Sequence, residues 1–122
     1  MNSELTGMVI GAAIDVHKEL GPGLLESVYR TCLAYELRKR DLFVVEEFAL
    51  PVIYKDLKLD DAFRVDLLIE NKLVVELKAV ERVFPVHSAQ LISYLKMSDM
   101  PQGLLINFNV PVLKQGIKRF VN

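Results

Sequence analysis

The chain has 122 residues, 52% of them apolar and 25% charged, a balance that excludes intrinsic disorder and predicts one compact domain over residues 1–122 with a buried core. Fifteen Lys and Arg face sixteen Asp and Glu, for a formal net charge of −1. That excludes a generally basic nucleic-acid coat: contact with phosphates has to come from a local basic surface, a bridging metal or a partner that delivers the substrate.

No apolar run reaches the roughly 18 residues of a membrane span. The start MNSELTG also lacks the basic and apolar parts of a secretory leader, so the sequence predicts a cytoplasmic protein with no membrane partner. Its single cysteine, Cys32, can form no internal disulfide and suits packing in a reducing compartment.

Along the chain, Leu5, Met8, Val9, Ala12, Ala13, Val16 and Leu20 recur at three- and four-residue steps and predict a first helix over Glu4–Leu20. Gly21-Pro22-Gly23 ends it. A second helix is expected from about Leu24 to Arg40. Leu25, Val28, Cys32 and Tyr35 form one apolar stripe on it, with Tyr29, Leu33 and Leu37 beside them. The basic end Arg38-Lys39-Arg40 suits the negative pole of the helix dipole and reads as a solvated terminus.

After Asp41 the composition turns β-branched and aromatic. Phe43–Tyr54, Phe63–Ile69 and Leu73–Val80, parted by turns at Lys55-Asp56 and Glu70-Asn71-Lys72, predict an antiparallel meander. A third helix is expected after Pro85, over about Val86–Met97, and GLLINF (Gly103–Phe108) reads as one more buried strand. Pro111–Asn122 carries no dominant pattern. The order ααβββαβ predicts an α/β fold, a mixed sheet flanked by helices.

The strand Leu73–Val80 is apolar enough for the middle of a sheet, yet Glu76 and Lys78 share one of its faces because side chains alternate. Charges in such a place cost several kcal/mol, by order of magnitude, unless they are paired or bound to metal. If the preceding hairpin is centred on Asn71, Asp66 lies opposite Glu76 and Arg64 opposite Lys78, all on that face. A one-residue slip would turn Asp66 away. Two close carboxylates repel unless a cation lies between them, and an all-oxygen site with few protein ligands suits Mg²⁺ or Mn²⁺ better than zinc. Lys78 could then orient or deprotonate an attacking water and offset charge on phosphorus. Cross-strand ion pairing among Asp66, Arg64, Glu76 and Lys78 explains the same residues, and residue chemistry alone leaves both explanations open.

Asp66 followed by Glu76-Leu77-Lys78 resembles the D…(D/E)XK signature of the restriction-endonuclease-like superfamily. Gly21-Pro22-Gly23-Leu24-Leu25-Glu26-Ser27-Val28-Tyr29 resembles the motif that names the GxxExxY proteins, and VELKAVE, HSAQLISYLK and LLINF are similar to their segments in order. The similarity runs from about Gly11 to Val121. It implies a restriction-endonuclease-like core, metal ligands at Asp66 and Glu76, a catalytic lysine at Lys78 and an additional acidic group at Glu26 that joins the metal ligands.

Glu26 has a local explanation as well, since a carboxylate in a first helical turn favours the dipole and Arg30 stands four residues on. Gln90 and Tyr94 resemble the QxxxY element of RecB-like nucleases and share a helix face, which implies contact with phosphate or base; an ordinary amphipathic helix would have the same spacing. His17 matches an upstream histidine of those enzymes in place, but Asp15 and Glu19 flank it and predict a solvated helix histidine.

The function expected is metal-dependent hydrolysis of phosphodiesters in DNA or RNA. The alternative is a catalytically silent nuclease-like module that binds nucleic acid or protein. A homodimer through an exposed sheet edge is a further expectation.

Overall fold

The computed structural model describes residues 3–122. Its order is α1 (Ser3–Leu20), α2 (Glu26–Lys39), β1 (Val44–Tyr54), β2 (Leu57–Ile69), β3 (Leu73–Lys78), α3 (Pro85–Ser98), β4 (Gln102–Asn107), a 3-10 turn over Leu113–Gly116 and β5 (Ile117–Val121). The five strands form one sheet in the order β1-β2-β3-β4-β5. All neighbours are antiparallel except β3 and β4, which α3 connects in parallel. The mixed sheet flanked by helices is the restriction-endonuclease-like α/β architecture, extended by β5 in the tail that showed no pattern.

Helices cover both faces. Leu67, Ile69, Leu73, Val75 and Leu77 pack with Leu104 and Ile106 against α1 and α2, while Leu68, Val74 and Leu105 pack with Leu91 and Leu95 of α3. β3 is central, so only its Glu76 and Lys78 escape full burial. β2 is longer than expected at its start, and its register against β1 shifts between Leu50 and Val52.

Two sequence expectations need correction. On α2 the core face is Tyr29, Leu33, Ala34 and Leu37, whereas Leu25 and Tyr35 of the other apolar stripe are 74% and 60% exposed. The two stripes are close in apolar content; the buried one packs in the core with Leu67, Leu77 and Phe108, on whose ring Tyr29 stacks. His17 is not solvated: it is buried, and its Nε2 donates to the Val110 carbonyl oxygen at 2.9 Å. The Asp15 and Glu19 that flank it in sequence point elsewhere on the helix, Asp15 to Arg40 at 2.6 Å.

The basic end of α2 is committed within the fold. Arg38 reaches Glu46 and the Val44 carbonyl, and Arg40 bridges Asp15 and Glu36. Cys32 packs partly buried against the core beside α1. Among the described residues no helix is long and apolar enough to cross a membrane.

Glycines give a direct test of this packing. A Cβ at Gly116 would stand 2.2 Å from the Asn107 carbonyl oxygen, backbone that cannot step aside, whereas one at Gly7 would meet nothing within 4 Å. Gly116→Ala should destabilise the protein by roughly 1–3 kcal/mol. Gly7→Ala, in the middle of a helix, should leave it unchanged or stabilise it by up to about 1 kcal/mol. Urea midpoints of the two variants against the parent measure both signs.

Candidate active site

The β2–β3 hairpin pairs Leu67 with Val75, Leu68 with Val74 and Ile69 with Leu73, so it is centred on Asn71. Glu70 and Asn71 turn the chain with φ of 53° and 55°, values that polar residues tolerate better than β-branched ones. The backbone ladder ends at Leu67 and Val75, although β3 continues alongside β4 as far as Lys78 and Asn107. Beyond that point the side chains of Asp66 and Glu76 take over the hydrogen bonding. Glu76 Oε1 accepts from the Asp66 N–H at 3.0 Å, and Asp66 Oδ2 accepts from the Leu77 N–H at 2.8 Å. The two carboxylates thus satisfy backbone donors freed by the parting strands and are held face to face by them.

Their proton affinities reflect that placement. Burial pushes the Glu76 carboxyl up to about 7, the neighbouring Asp66 charge adds to the rise, and the Asp66 N–H and Lys78 oppose it. Asp66 is raised by burial despite the Leu77 hydrogen bond and the Arg30 and Lys78 charges. None of the ion pairs formed among the described residues includes Asp66, Glu76 or Lys78. The cross-strand ion-pair explanation therefore lacks its ion pair, and Arg64, which it also invoked, donates to the Glu47 carbonyl instead.

Glu26 arrives from the other side, at the start of α2. Gly21 and Gly23 take φ of 73° and 97°, conformations that favour glycine. The Tyr29 hydroxyl closes that loop by donating to the Gly21 carbonyl oxygen at 2.6 Å and accepting from the Leu24 N–H at 3.1 Å. The Tyr29 ring stacks on Phe108 at 4.4 Å, which ties the loop to the end of β4. Glu26, between the latched loop and the tyrosine, is raised by burial and then by the Asp66 charge, with Lys78 and Arg30 opposing. Arg30 does not form the expected pair with Glu26; its ion pairs go to Glu46 at 3.8 Å and Glu47 at 3.9 Å.

From α3, Tyr94 stacks on Phe63 of β2 at 3.4 Å, and its hydroxyl proton affinity is raised by burial and by the Glu76 charge. Gln90 is exposed one turn earlier. His87, by contrast, caps its own helix, its Nδ1 accepting from the Phe84 N–H.

The family model of the PD-(D/E)XK nuclease superfamily matches residues 3–120. The chain belongs to the PD-(D/E)XK nuclease superfamily. No curated protein and no solved structure matches it.

Three residues shape this superfamily member's site in ways the sequence did not show. Asn107, nearly fully buried, accepts from the Val80 N–H and donates to the Val80 carbonyl, fixing the chain just after Lys78. A polar residue inside the apolar run LLINF was the available signal. Tyr29 counted as an apolar position and as the end of the Gly21–Tyr29 motif, with no role for its hydroxyl, although a buried phenol needs a partner for it. Arg30 sits with its Nε buried and without a hydrogen-bond partner, lowering the proton affinity of both Asp66 and Glu26; the sequence offered it as a helix partner of Glu26, and nothing there pointed to Glu46 and Glu47.

The raised carboxyls set a pH dependence. Below about pH 4.5 Glu76 is protonated folded or unfolded. Between about 4.5 and 7 the unfolded chain releases the proton while the folded one retains it, so stability falls as pH rises, and above 7 the whole penalty is present. Asp66 and Glu26 act in the same direction. In metal-free buffer Glu76→Gln should therefore gain roughly 1–3 kcal/mol over the parent at pH 8 and little at pH 4.5, read from urea denaturation at the two pH values.

Proposed function

We propose that this domain hydrolyses phosphodiester bonds of nucleic acid in a reaction supported by Mg²⁺ or Mn²⁺, with Asp66 and Glu76 as ligands of the ion, Lys78 as the catalytic cation and Glu26 as a supporting acid. The observation that carries the reading is the pair of opposed carboxylates at the parting of β2 and β3, raised in proton affinity and without a compensating ion pair.

The donor chemistry suits a hard divalent ion. Asp66 and Glu76 each keep an oxygen beyond the one given to a backbone N–H. Among the described residues no three His, Cys, Asp or Glu side chains converge as a ready-made metal cage. Mg²⁺ is ordinarily held by one or two carboxylates with waters and substrate phosphate completing its shell, so two carboxylates fit it and a closed all-protein cage is not required. When bound, such an ion supplies Lewis acidity toward the phosphate and acidifies water.

The protein's own groups do the rest. Lys78 shares the face of Glu76, and its ammonium can hydrogen-bond an incoming water and a nonbridging phosphate oxygen as negative charge grows. Glu26 adds a carboxylate that can take part in orienting that water. Tyr94, rigid against Phe63, offers a hydroxyl on the substrate side, and Gln90 extends the same helix face toward a phosphate or base. DNA and RNA both present this chemistry.

The test is cleavage of mixed single- and double-stranded DNA and RNA with Mg²⁺ or Mn²⁺. Lys78→Ala should lower kcat by roughly 10²–10⁴-fold while far-ultraviolet circular dichroism stays unchanged. Asp66→Asn should lose both activity and the rise in Tm that the metal gives the parent. A parent that gains no Tm from either ion and cuts none of the substrates would contradict the reading.

A further inference from the structure

The near-neutral chain divides its charge unevenly. Residues 82–122 hold five Lys and Arg against a single Asp, whereas residues 1–81 hold ten against fifteen Asp and Glu. The ion pairs also fall in the first part: Arg30, Arg38, Arg40 and Lys58 find acids, and no ion pair among the described residues uses a cation beyond them. It is the net charge that differs between the parts: residues 82–122 carry five cations against one acid, a net +4, and residues 1–81 carry ten against fifteen, a net −5.

The sheet register places one of these cations in line with the site. Glu76 pairs with Leu105 on β4, and Leu105 pairs with Lys118 on β5. Directly paired residues share a face, so Lys118 projects on the Glu76 and Lys78 side, two strands and about 10 Å away. A groove of about 280 Å³ lies on this side, lined by Glu81, Arg82, Asn107, Gln115 and Lys118 over Leu105. Arg82 stands at its wall with its guanidinium over the Phe84 ring at 5.6 Å, exposed and without an ion pair. The single acid, Glu81, leaves the lining with a net positive charge. Arg119 is next to Lys118 in sequence but lies on the other face, in a separate cavity with Ile10 and Ile14 of α1.

We infer that this groove is the track of the polynucleotide backbone as it leaves the carboxylate cleft, with Arg82 and Lys118 each holding a phosphate. The inference rests on the nuclease reading and narrows its substrate. A phosphate held at Lys118, about 10 Å from the carboxylates, lies beyond the one phosphate that a dinucleotide carries. Polynucleotides should therefore be substrates and dinucleotides should not. It also supplies the local basic surface that a net charge of −1 demands.

The experiment is fluorescence anisotropy with a labelled single-stranded oligonucleotide of about 12 residues and a labelled dinucleotide, in Ca²⁺, between about 50 and 200 mM salt. Arg82→Ala and Lys118→Ala, both on exposed positions, should each weaken binding of the longer strand several-fold. Each should also cut the slope of log affinity against log salt by about 0.7–0.9, the loss of one phosphate contact. Arg119→Ala should leave the slope unchanged, and the dinucleotide should bind all four proteins alike.

A slope unchanged in the Arg82 and Lys118 variants, or one cut equally by Arg119→Ala, would overturn the groove while leaving the cleft reading intact. A parent that binds the oligonucleotide not at all would overturn both, and the metal-dependent rise in Tm would then show whether the ion site survives.

Discussion

The geometry of the domain turns on the point at which β2 leaves β3. Two strands that part inside a protein abandon backbone donors, and buried donors need partners. Asp66 and Glu76 meet that need with one carboxylate oxygen each, which holds both side chains in place and leaves each a second oxygen. The same arrangement carries an electrostatic penalty: two half-buried carboxylates with no ion pair hold their protons more tightly than in water. A cation between them would remove the penalty, which is why the proposed ion site falls here.

Much of the remaining structure holds this point steady. On one side, β4 stays paired with β3 through Lys78, and Asn107 clamps Val80 from both its amide atoms. On the other, the Gly21–Leu24 loop is closed by Tyr29, which stacks on Phe108, and His17 joins α1 to the chain after β4 through Val110. The end of β4 is thus an anchor for both helices and for the strand that bears Lys78. Glu26 reaches the cleft because the loop before α2 is pinned. Arg30, one turn later, moderates the charge of Asp66 and Glu26 while holding Glu46 and Glu47 of β1. Glu47 itself takes a left-handed φ of 50° within β1 and raises the proton affinity of Asp66, a local strain at the edge of the site of the kind that structures retain where neighbouring contacts enforce it.

The sheet, the three helices and the hairpin register were legible because each depends on local signals: period-four apolar steps in Leu5–Leu20, the Gly-Pro-Gly break, and the two-residue alternation that puts Glu76 and Lys78 together. Asp66 joined them through the choice of Asn71 as the turn centre. What the sequence hid depends on partners distant in the chain. Which stripe of α2 is buried depended on core partners far along the chain, Phe108 among them, and His17 looked solvated until Val110 was placed beside it. β5 could not be read because its alternation is short and its burial mixed, so the edge strand that carries Lys118 and Arg119 emerged only from the packing. Arg30 belongs to the same class, since its partners lie on β1.

The most direct measurement of the central claim is a carbon-13 NMR titration of the Glu76 carboxyl, assigned with Glu76→Gln, in the presence and absence of Mg²⁺. The expected midpoint is near 7 in metal-free buffer, moved well down by saturating Mg²⁺ as the ion displaces the proton, with Asp66→Asn weakening that displacement. A Glu76 midpoint close to the ordinary 4.5 without metal, or one that Mg²⁺ leaves unmoved, would contradict it.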